Sequence, residues 1–346
     1  MAHRDLVVIG ASAGGIEALQ YLLAPLPSDL DAAVLIVLHT SRHSGSLLPQ
    51  ILQRTSSLTA VHPEDHTPIK KGMIYIAPPD HHLIVQDGSL RVIQGPRENL
   101  HRPAIDPLFR SAARYYGPRA IGIILTGSLD DGTAGLMVLR SRGGAAIVQD
   151  PQTAVFSSMP RSALKQVPDA QVLPLAQIPA TIVELTQEEV PVGATVNRPE
   201  AAKSGDLPAE ETRISELDMS QIENEDHPGT PSAFGCPDCG GVLWEINESG
   251  FLRYRCRVGH AYTARNLGAE QRYAVETALW SALRALEESA SMFRRMAERA
   301  SGAGHKGMAE KFEERVSNTS ANARVLRDFL VQVNSDNEDW IEEEVS

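Results

Sequence analysis

The sequence predicts an α/β domain, a doubly wound and mainly parallel sheet, followed by a small cysteine-bearing unit and an α-helical hairpin. Three observations carry this. Short β-branched runs alternate with amphipathic stretches over residues 1–190. All three cysteines, Cys236, Cys239 and Cys256, fall in one short region. Two heptad-like apolar repeats follow, and 346 residues exceed what one ordinary domain accommodates.

Residues 6–9, 34–38, 121–125 and 145–149 read as buried strands, because each is a short run dominated by Val, Ile, Leu and Ala, broken only by Gly122 and the terminal Gln149. Residues 15–24, 107–116 and 132–141 read as the helices between them. Residues 72–76 and 82–92, with the turn Asp87-Gly88, read as a hairpin added to the sheet. Residues 191–230, with Pro, Gly, Ser and acids and few large apolar groups, read as an acidic disordered linker. A cysteine-bearing unit is expected over 231–264, a helical hairpin over 265–333 and an acidic tail over 334–346.

The hairpin rests on Leu279, Leu283, Leu286, Ala290, Phe293, Ala297 and Ala300, then Met308, Phe312, Val316, Thr319, Ala323, Leu326 and Leu330, with Ser301-Gly-Ala-Gly304 as the break. One hairpin buries little surface alone, so it must pack on the cysteine unit, on a second copy or on a partner. Docking to a partner, or a homodimer through these C-terminal helices, is the favoured expectation.

The net charge of −12 is uneven: nine acidic against three basic residues lie between Pro191 and Thr230, and six acids with no base between Ser335 and Ser346. The rest of the chain is close to neutral, which argues against nucleic-acid binding through a basic patch. No apolar stretch approaches the roughly 20 residues of a membrane span. The N-terminus lacks the apolar core and cleavage site of a signal peptide, so a cytoplasmic location is expected.

Gly10-Ala-Ser12-Ala-Gly14 matches G-x-S-x-G directly after a strand and at the opening of a helix, where a nucleophile elbow belongs. A serine needs a base, and the base a group that fixes its tautomer. His39 ends the next strand, and Asp130 and Asp131 follow the strand ending at Leu125. Serine, histidine and acid would gather at the carboxyl edge of one parallel sheet, where ligand crevices of open α/β folds lie. A dinucleotide site would require G-x-G-x-x-G and an acid at the end of the second strand; Ser12 and His39 occupy those places. His43, His62, His66, His81, His82 and His101 are assigned to the surface or to supporting positions.

The order Ser, His, Asp differs from the Ser, acid, His of α/β-hydrolases. Residues 1–190 instead resemble the catalytic domain of the chemotaxis protein-glutamate methylesterases, the CheB family. The matching stretches are Val8-Ile-Gly-Ala-Ser-Ala-Gly-Gly15, Val37-Leu-His-Thr40, Met73-Ile-Tyr-Ile-Ala-Pro78, His101-Arg-Pro-Ala-Ile-Asp106, Leu125-Thr-Gly-Ser-Leu-Asp-Asp-Gly132, Gln149-Asp-Pro-Gln-Thr-Ala154 and Met159-Pro-Arg161. The resemblance implies Ser12 as nucleophile, His39 as general base and acid, and Asp131 as the residue that orients His39, with Asp130 its rival. It implies hydrolysis of glutamate γ-methyl esters on methylated chemoreceptors, with no catalytic cofactor, and the same acyl chemistry could deamidate a glutamine. The Ala13 N–H and the loop at Gly127 and Ser128 are the candidates for the oxyanion hole. Position 128 departs from the methionine common among relatives, which bears on the oxyanion hole and substrate pocket. A phosphorylatable receiver domain precedes the esterase in well-known members, whereas here the first strand begins about five residues from Met1. Control by a separate receiver or methyltransferase protein, or by the C-terminal extension, is therefore expected. A non-catalytic docking protein and a serine hydrolase of other esters are the alternatives.

In Cys236-Pro-Asp-Cys239-Gly-Gly and Cys256-Arg-Val-Gly-His260, sixteen residues lie between Cys239 and Cys256, with glycines suited to tight turns. Three thiolates and one imidazole make a closed tetrahedral shell, which predicts a structural zinc ribbon. The strands 242–246 and 251–255 around Asn247 to Gly250 suit that architecture.

Overall fold

The computed structural model describes residues 2–40, 47–191, 207–215, 229–248 and 250–345. It divides into two compact units, Met1–Leu267 and Gly268–Ser346.

The strands are β1 (Ala2–His3), β2 (Leu6–Ala11), β3 (Ala33–Leu38), β4 (Thr59–Val61), β5 (Thr67–Pro68), β6 (Met73–Ile76), β7 (His82–Gln86), β8 (Ser89–Ile93), β9 (Ala120–Ile124), β10 (Ala145–Gln149), β11 (Gln171–Leu173), β12 (Glu189–Val190), β13 (Thr230–Gly235), β14 (Val242–Glu248), β15 (Phe251–Cys256) and β16 (Ala261–Thr263). The helices are α1 (Gly15–Leu23), α2 (Leu48–Gln53), α3 (Ile105–Tyr116), α4 (Thr133–Ser141), α5 (Ser158–Gln166), α6 (Ile178–Gln187), α7 (Leu207–Ser215), α8 (Ala264–Gly302) and α9 (Lys306–Val345).

Seven strands form one parallel sheet in the order β11-β10-β9-β2-β3-β6-β4. Alternate residues of β2 feed separate cores: Leu6 and Val8 join α3, α4 and α5 on one face, Val7, Ile9 and Ala11 join α1, α2 and α6 on the other. Burial on both faces explains why β2 and β3 are apolar throughout. The strand order places β2, β3 and β9 side by side, so the residues after their carboxyl ends meet at one edge.

Three expectations are corrected. β7 and β8 do not extend the parallel sheet; they form a separate antiparallel sheet with β5. β6 takes the place in the main sheet by pairing parallel with β3 and β4, and the hairpin packs on α3, where the Ser111 hydroxyl accepts the Val85 N–H. Asp87 and Gly88 both have positive φ, as the expected tight turn requires. Second, part of the acidic stretch 191–230 is ordered: α7 buries Glu211, Thr212 and Ser215. Glu211 is not a solvated charge, since Arg253 and Arg255 pair with it. The remainder of that stretch up to Pro228 lies outside the described residues, apart from Pro191. Third, α9 runs on to Val345 through the expected tail, with no Gly or Pro after Gly307 to stop it.

The cysteine-bearing segment is a four-stranded antiparallel sheet, β13-β14-β15-β16, within the first unit. In the second unit Leu283, Ala323 and Leu330 pack with Leu279, Leu286 and Leu326, and the Phe293 and Phe312 rings stack. No helix among the described residues is long and apolar enough to cross a membrane.

Candidate active site

Ser12 follows β2 and immediately precedes the turn into α1. Gly14, at the helix N-cap, has φ 71°, in the left-handed region open to glycine. Hydrogen bonds from Ser12 N to Thr126 O (3.0 Å) and from Gly15 N to Ser12 O (2.9 Å) fix the turn. His39 extends β3, and its N–H reaches Ala11 O at 3.2 Å. Its Nδ1 lies 3.1 Å from Ser12 Oγ and its Nε2 lies 2.8 Å from Asp131 Oδ2. This network assigns the proton to Nε2, donated to the carboxylate, and leaves the Nδ1 lone pair for the serine hydroxyl.

Asp131 is the centre of a dense set of donors. Oδ2 also accepts the Ile105 N–H (2.7 Å), while Oδ1 accepts Asn99 Nδ2 (2.8 Å), the Gly132 N–H (3.0 Å) and the Asp106 N–H (3.3 Å). Two of these donors belong to the first turn of α3, whose own N-cap, Ala104, has no capping side chain. A distant carboxylate thus satisfies the helix terminus and is stabilised by it. Burial opposes the ionised form of Asp131, but the hydrogen bonds from His39, Ile105 and Asn99 hold it below the usual carboxylate range. Asp106 behaves oppositely. Burial, then the charge of Asp131, pushes its carboxyl up to about 7, so the pair keeps its charge on the member that faces His39.

Asp130 points elsewhere: its Oδ1 accepts Thr263 Oγ1 (2.8 Å) and Asn266 Nδ2 (2.6 Å). Of the oxyanion candidates, Gly127 donates its N–H to Phe156 O at 3.0 Å and is therefore no free donor. Its role is closeness, because a Cβ there would stand 2.8 Å from Ser12 Cβ and 2.9 Å from Met159 Sδ. Ser128 is half-buried in the same loop. The bonds that tie the elbow use the Ser12 and Gly15 amides and the Ala13 carbonyl, which accepts Thr126 Oγ1.

Strand-end spacing does not mark Asn99 or Asp106 as neighbours of these groups, whereas His101, assigned to the surface or to a supporting position, takes a supporting one. His101 stacks on His39, centroids 3.5 Å apart and planes 11° from parallel. Burial, then the neighbouring His39, pushes His101 down to about 3. A usable signal was present, since His101 and Asp106 are the two ends of one of the quoted motifs. His43 lies outside the described residues; His82 is buried, with its pKa lowered by burial.

The ligand atoms of Cys236, Cys239, Cys256 and His260 all lie within 4.8 Å of one another. Cys239 Sγ to Cys256 Sγ is 3.7 Å, and His260 Nδ1 is 3.7 Å from Cys236 Sγ and 3.5 Å from Cys256 Sγ. A tetrahedron with bonds of about 2.3 Å to sulfur has edges near 3.7 Å, so these donors fit a metal ion.

The description CheB methylesterase matches residues 7–182 as a family model. A relative from Leptospira interrogans, whose name pairs protein-glutamate methylesterase with protein-glutamine glutaminase, is 38% identical over 187 residues, 54% of this chain and 97% of its own. Proteins with that paired name from Anaeromyxobacter dehalogenans (37% identical, 54% of each chain) and Caulobacter vibrioides (39%, 50% of this chain and 52% of its own) are also similar. The chain spans about half the length of those two relatives. The crystal structure of the Thermotoga maritima CheB methylesterase catalytic domain aligns with TM-score 0.51 and 35% identity, covering 54% of this chain and all of that one. A family match over half of the chain, on a parallel sheet that carries serine, histidine and aspartate at one edge, leads to one conclusion: the chain belongs to the CheB methylesterase family.

Proposed function

We propose that the chain is a protein-glutamate methylesterase acting on methylated chemoreceptors, with Ser12, His39 and Asp131 as its triad. The observation that carries this reading is the continuous path from Ser12 Oγ through His39 to the buried Asp131. His39 Nδ1 accepts the serine proton as Oγ bonds to the ester carbonyl carbon. Asp131 holds the Nε2–H and offsets the imidazolium charge. Collapse of the tetrahedral intermediate breaks the C–O bond to methanol, which takes its proton from His39. Water, deprotonated at Nδ1, then attacks the acyl-serine and releases the glutamate carboxylate and Ser12. With a glutamine amide, ammonia leaves in place of methanol, in keeping with the glutaminase part of the relatives' names. The Ala13 N–H, next after the nucleophile, is the proposed oxyanion donor.

The test is methanol release from a premethylated receptor fragment, wild type against Ser12→Ala. Release that disappears in the variant is expected; equal release from both sinks the assignment.

We further infer that Cys236, Cys239, Cys256 and His260 hold a structural zinc. Three thiolates and an imidazole fill the tetrahedron, so the ion would hold the strand ends together and has no open position for water. One zinc per chain is expected by metal analysis, lost in Cys256→Ser; a purified chain without metal that also fails to bind added Zn²⁺ contradicts it.

A further inference from the structure

Residues 98–101 lie between the cysteine-bearing sheet and the groups around Asp131 and contact both. Glu98 forms buried ion pairs with Arg110 of α3 (2.8 Å) and Arg255 of β15 (3.2 Å). Asn99 donates its N–H to Ala261 O of β16 (2.8 Å), accepts the Thr263 N–H at Oδ1 (3.1 Å) and donates through Nδ2 to both Asp131 and Asp106 (2.8 Å each). Leu100, partly buried, packs against the core of the cysteine-bearing sheet formed by Cys236, Leu243, Cys256 and Tyr262 among others. His101 turns back and stacks on His39.

The backbone adds a constraint. Asn99 and Leu100 have φ of 49° and 71°, both in the left-handed region. Asparagine tolerates that region, but leucine enters it only when its surroundings hold it there. Here the surroundings of Leu100 are the core beside Cys236 and Cys256. β16 begins directly after His260, and its register is set by the turn in which Cys256 N donates to His260 O (2.9 Å) and Gly259 N donates to Cys256 O (2.9 Å). The partners of Asn99 are thus one and three residues from a thiolate-cluster ligand.

We propose that the loop 98–101 couples the cysteine-bearing sheet to the triad, with Leu100 and Asn99 as positioning residues for ester hydrolysis. Metal held at Cys236, Cys239, Cys256 and His260 then supports turnover without touching substrate, a clause that rests on the zinc reading above. An ordered cluster fixes β16, β16 and the sheet core fix Asn99 and Leu100, and these set the orientations of Asp131 and His39. Binding of substrate is left largely unaltered, because neither residue is part of the proposed elbow or oxyanion site.

The experiment uses the full chain, with two readouts: methanol release from premethylated receptor fragment, and the rate at which a small fluorophosphonate acylates Ser12. Leu100→Ala is expected to lower kcat and the acylation rate together by about tenfold, with KM within about twofold and zinc retained, since even a 1 Å misplacement can cost about 10². Asn99→Gly, which keeps the left-handed backbone and deletes the side chain, is expected to do the same at an unfolding midpoint where the native state is still fully populated at assay temperature. Stripping zinc with a chelator is expected to reproduce the loss, and added Zn²⁺ to reverse it. Wild-type rates in both variants overturn the coupling, as does a zinc-free chain with undiminished acylation. A chain that never binds zinc overturns the metal clause and the zinc reading together, and the two variants still decide the role of the loop. Because acylation needs no receptor, normal fluorophosphonate kinetics without methanol release would isolate failure of the substrate assignment.

Discussion

The imidazole of His101 lies flat against that of His39, with 3.5 Å between ring centroids. The proposed base is therefore held on one face by a ring and at its edge by Asp131, which leaves few rotamers compatible with Nδ1 facing Ser12. His101→Ala is expected to lower kcat by about tenfold through lost orientation, whereas His101→Phe, which retains a flat partner, recovers most of it. Steady-state kinetics on methylated receptor fragment decide this; equal loss in both variants means that the imidazole nitrogens of His101 matter, and not its face.

Asp131 and Asp130 are adjacent but face different partners, and their substitutions should separate. Asp131→Asn leaves a side chain of the same size but favours the wrong histidine tautomer, a change that costs on the order of 10⁴ in serine proteases. A loss of about 10³ to 10⁴ in kcat is expected. Asp130→Asn removes the charge that Thr263 and Asn266 share. It should lower the unfolding midpoint while kcat stays within about tenfold. Reversed sensitivities would exchange the two assignments.

Gly127→Ala tests closeness. The new methyl would meet Ser12 Cβ at 2.8 Å and the end of Met159 at 2.9 Å. Met159 can bend away, but the backbone-held Ser12 Cβ cannot. A drop of about 10² in the acylation rate is expected, together with a lowered unfolding midpoint; unchanged labelling by a fluorophosphonate contradicts the close approach of Gly127 to Ser12.

Stability should fall as pH is lowered from 6.5. His82 uses both nitrogens in the neutral form, Nε2 toward Pro96 O (2.8 Å) and Nδ1 toward the Ala104 N–H (3.2 Å). Burial lowers its pKa, and His101 is pushed down to about 3. For both groups the unfolded chain takes up a proton below about 6.5 that the folded chain refuses, so stability present above that pH is lost below it. Asp106 has the opposite sign: with its folded pKa raised from 3.8 to about 7, its contribution is full below 3.8 and is lost as pH rises through 7. The two histidines outnumber the one carboxyl of opposite sign, so net proton uptake on unfolding, and falling stability, is expected as pH drops below about 6. Urea denaturation at several pH values measures that slope. His101→Phe should flatten it; a slope unchanged by the substitution would assign the uptake to other groups.

What could be read from the chain was local. Largely apolar runs marked β2, β3, β9 and β10, because a strand buried on both faces favours such side chains. Gly10, Ser12 and Gly14 marked the elbow because a strand-to-helix turn restricts residue type, and the cysteine spacing followed from the short reach of a knuckle. The strand-end positions of Ser12 and His39 then followed from parallel topology alone.

Tertiary structure decided what depends on direction or on distant partners. Two consecutive aspartates look identical in sequence, yet one faces His39 and the other Thr263, since successive side chains leave the backbone in different directions. Glu211 looked like part of a solvated acidic run, and became buried because Arg253 and Arg255, more than 40 residues away, neutralise it in the interior. Asn99 and Leu100 have no pattern to announce them; their left-handed backbone is maintained by a sheet assembled from residues more than 130 positions later. Local preferences operate over a few residues, whereas desolvation, ion pairing and the support of a strained loop exist only once the partners have been brought together.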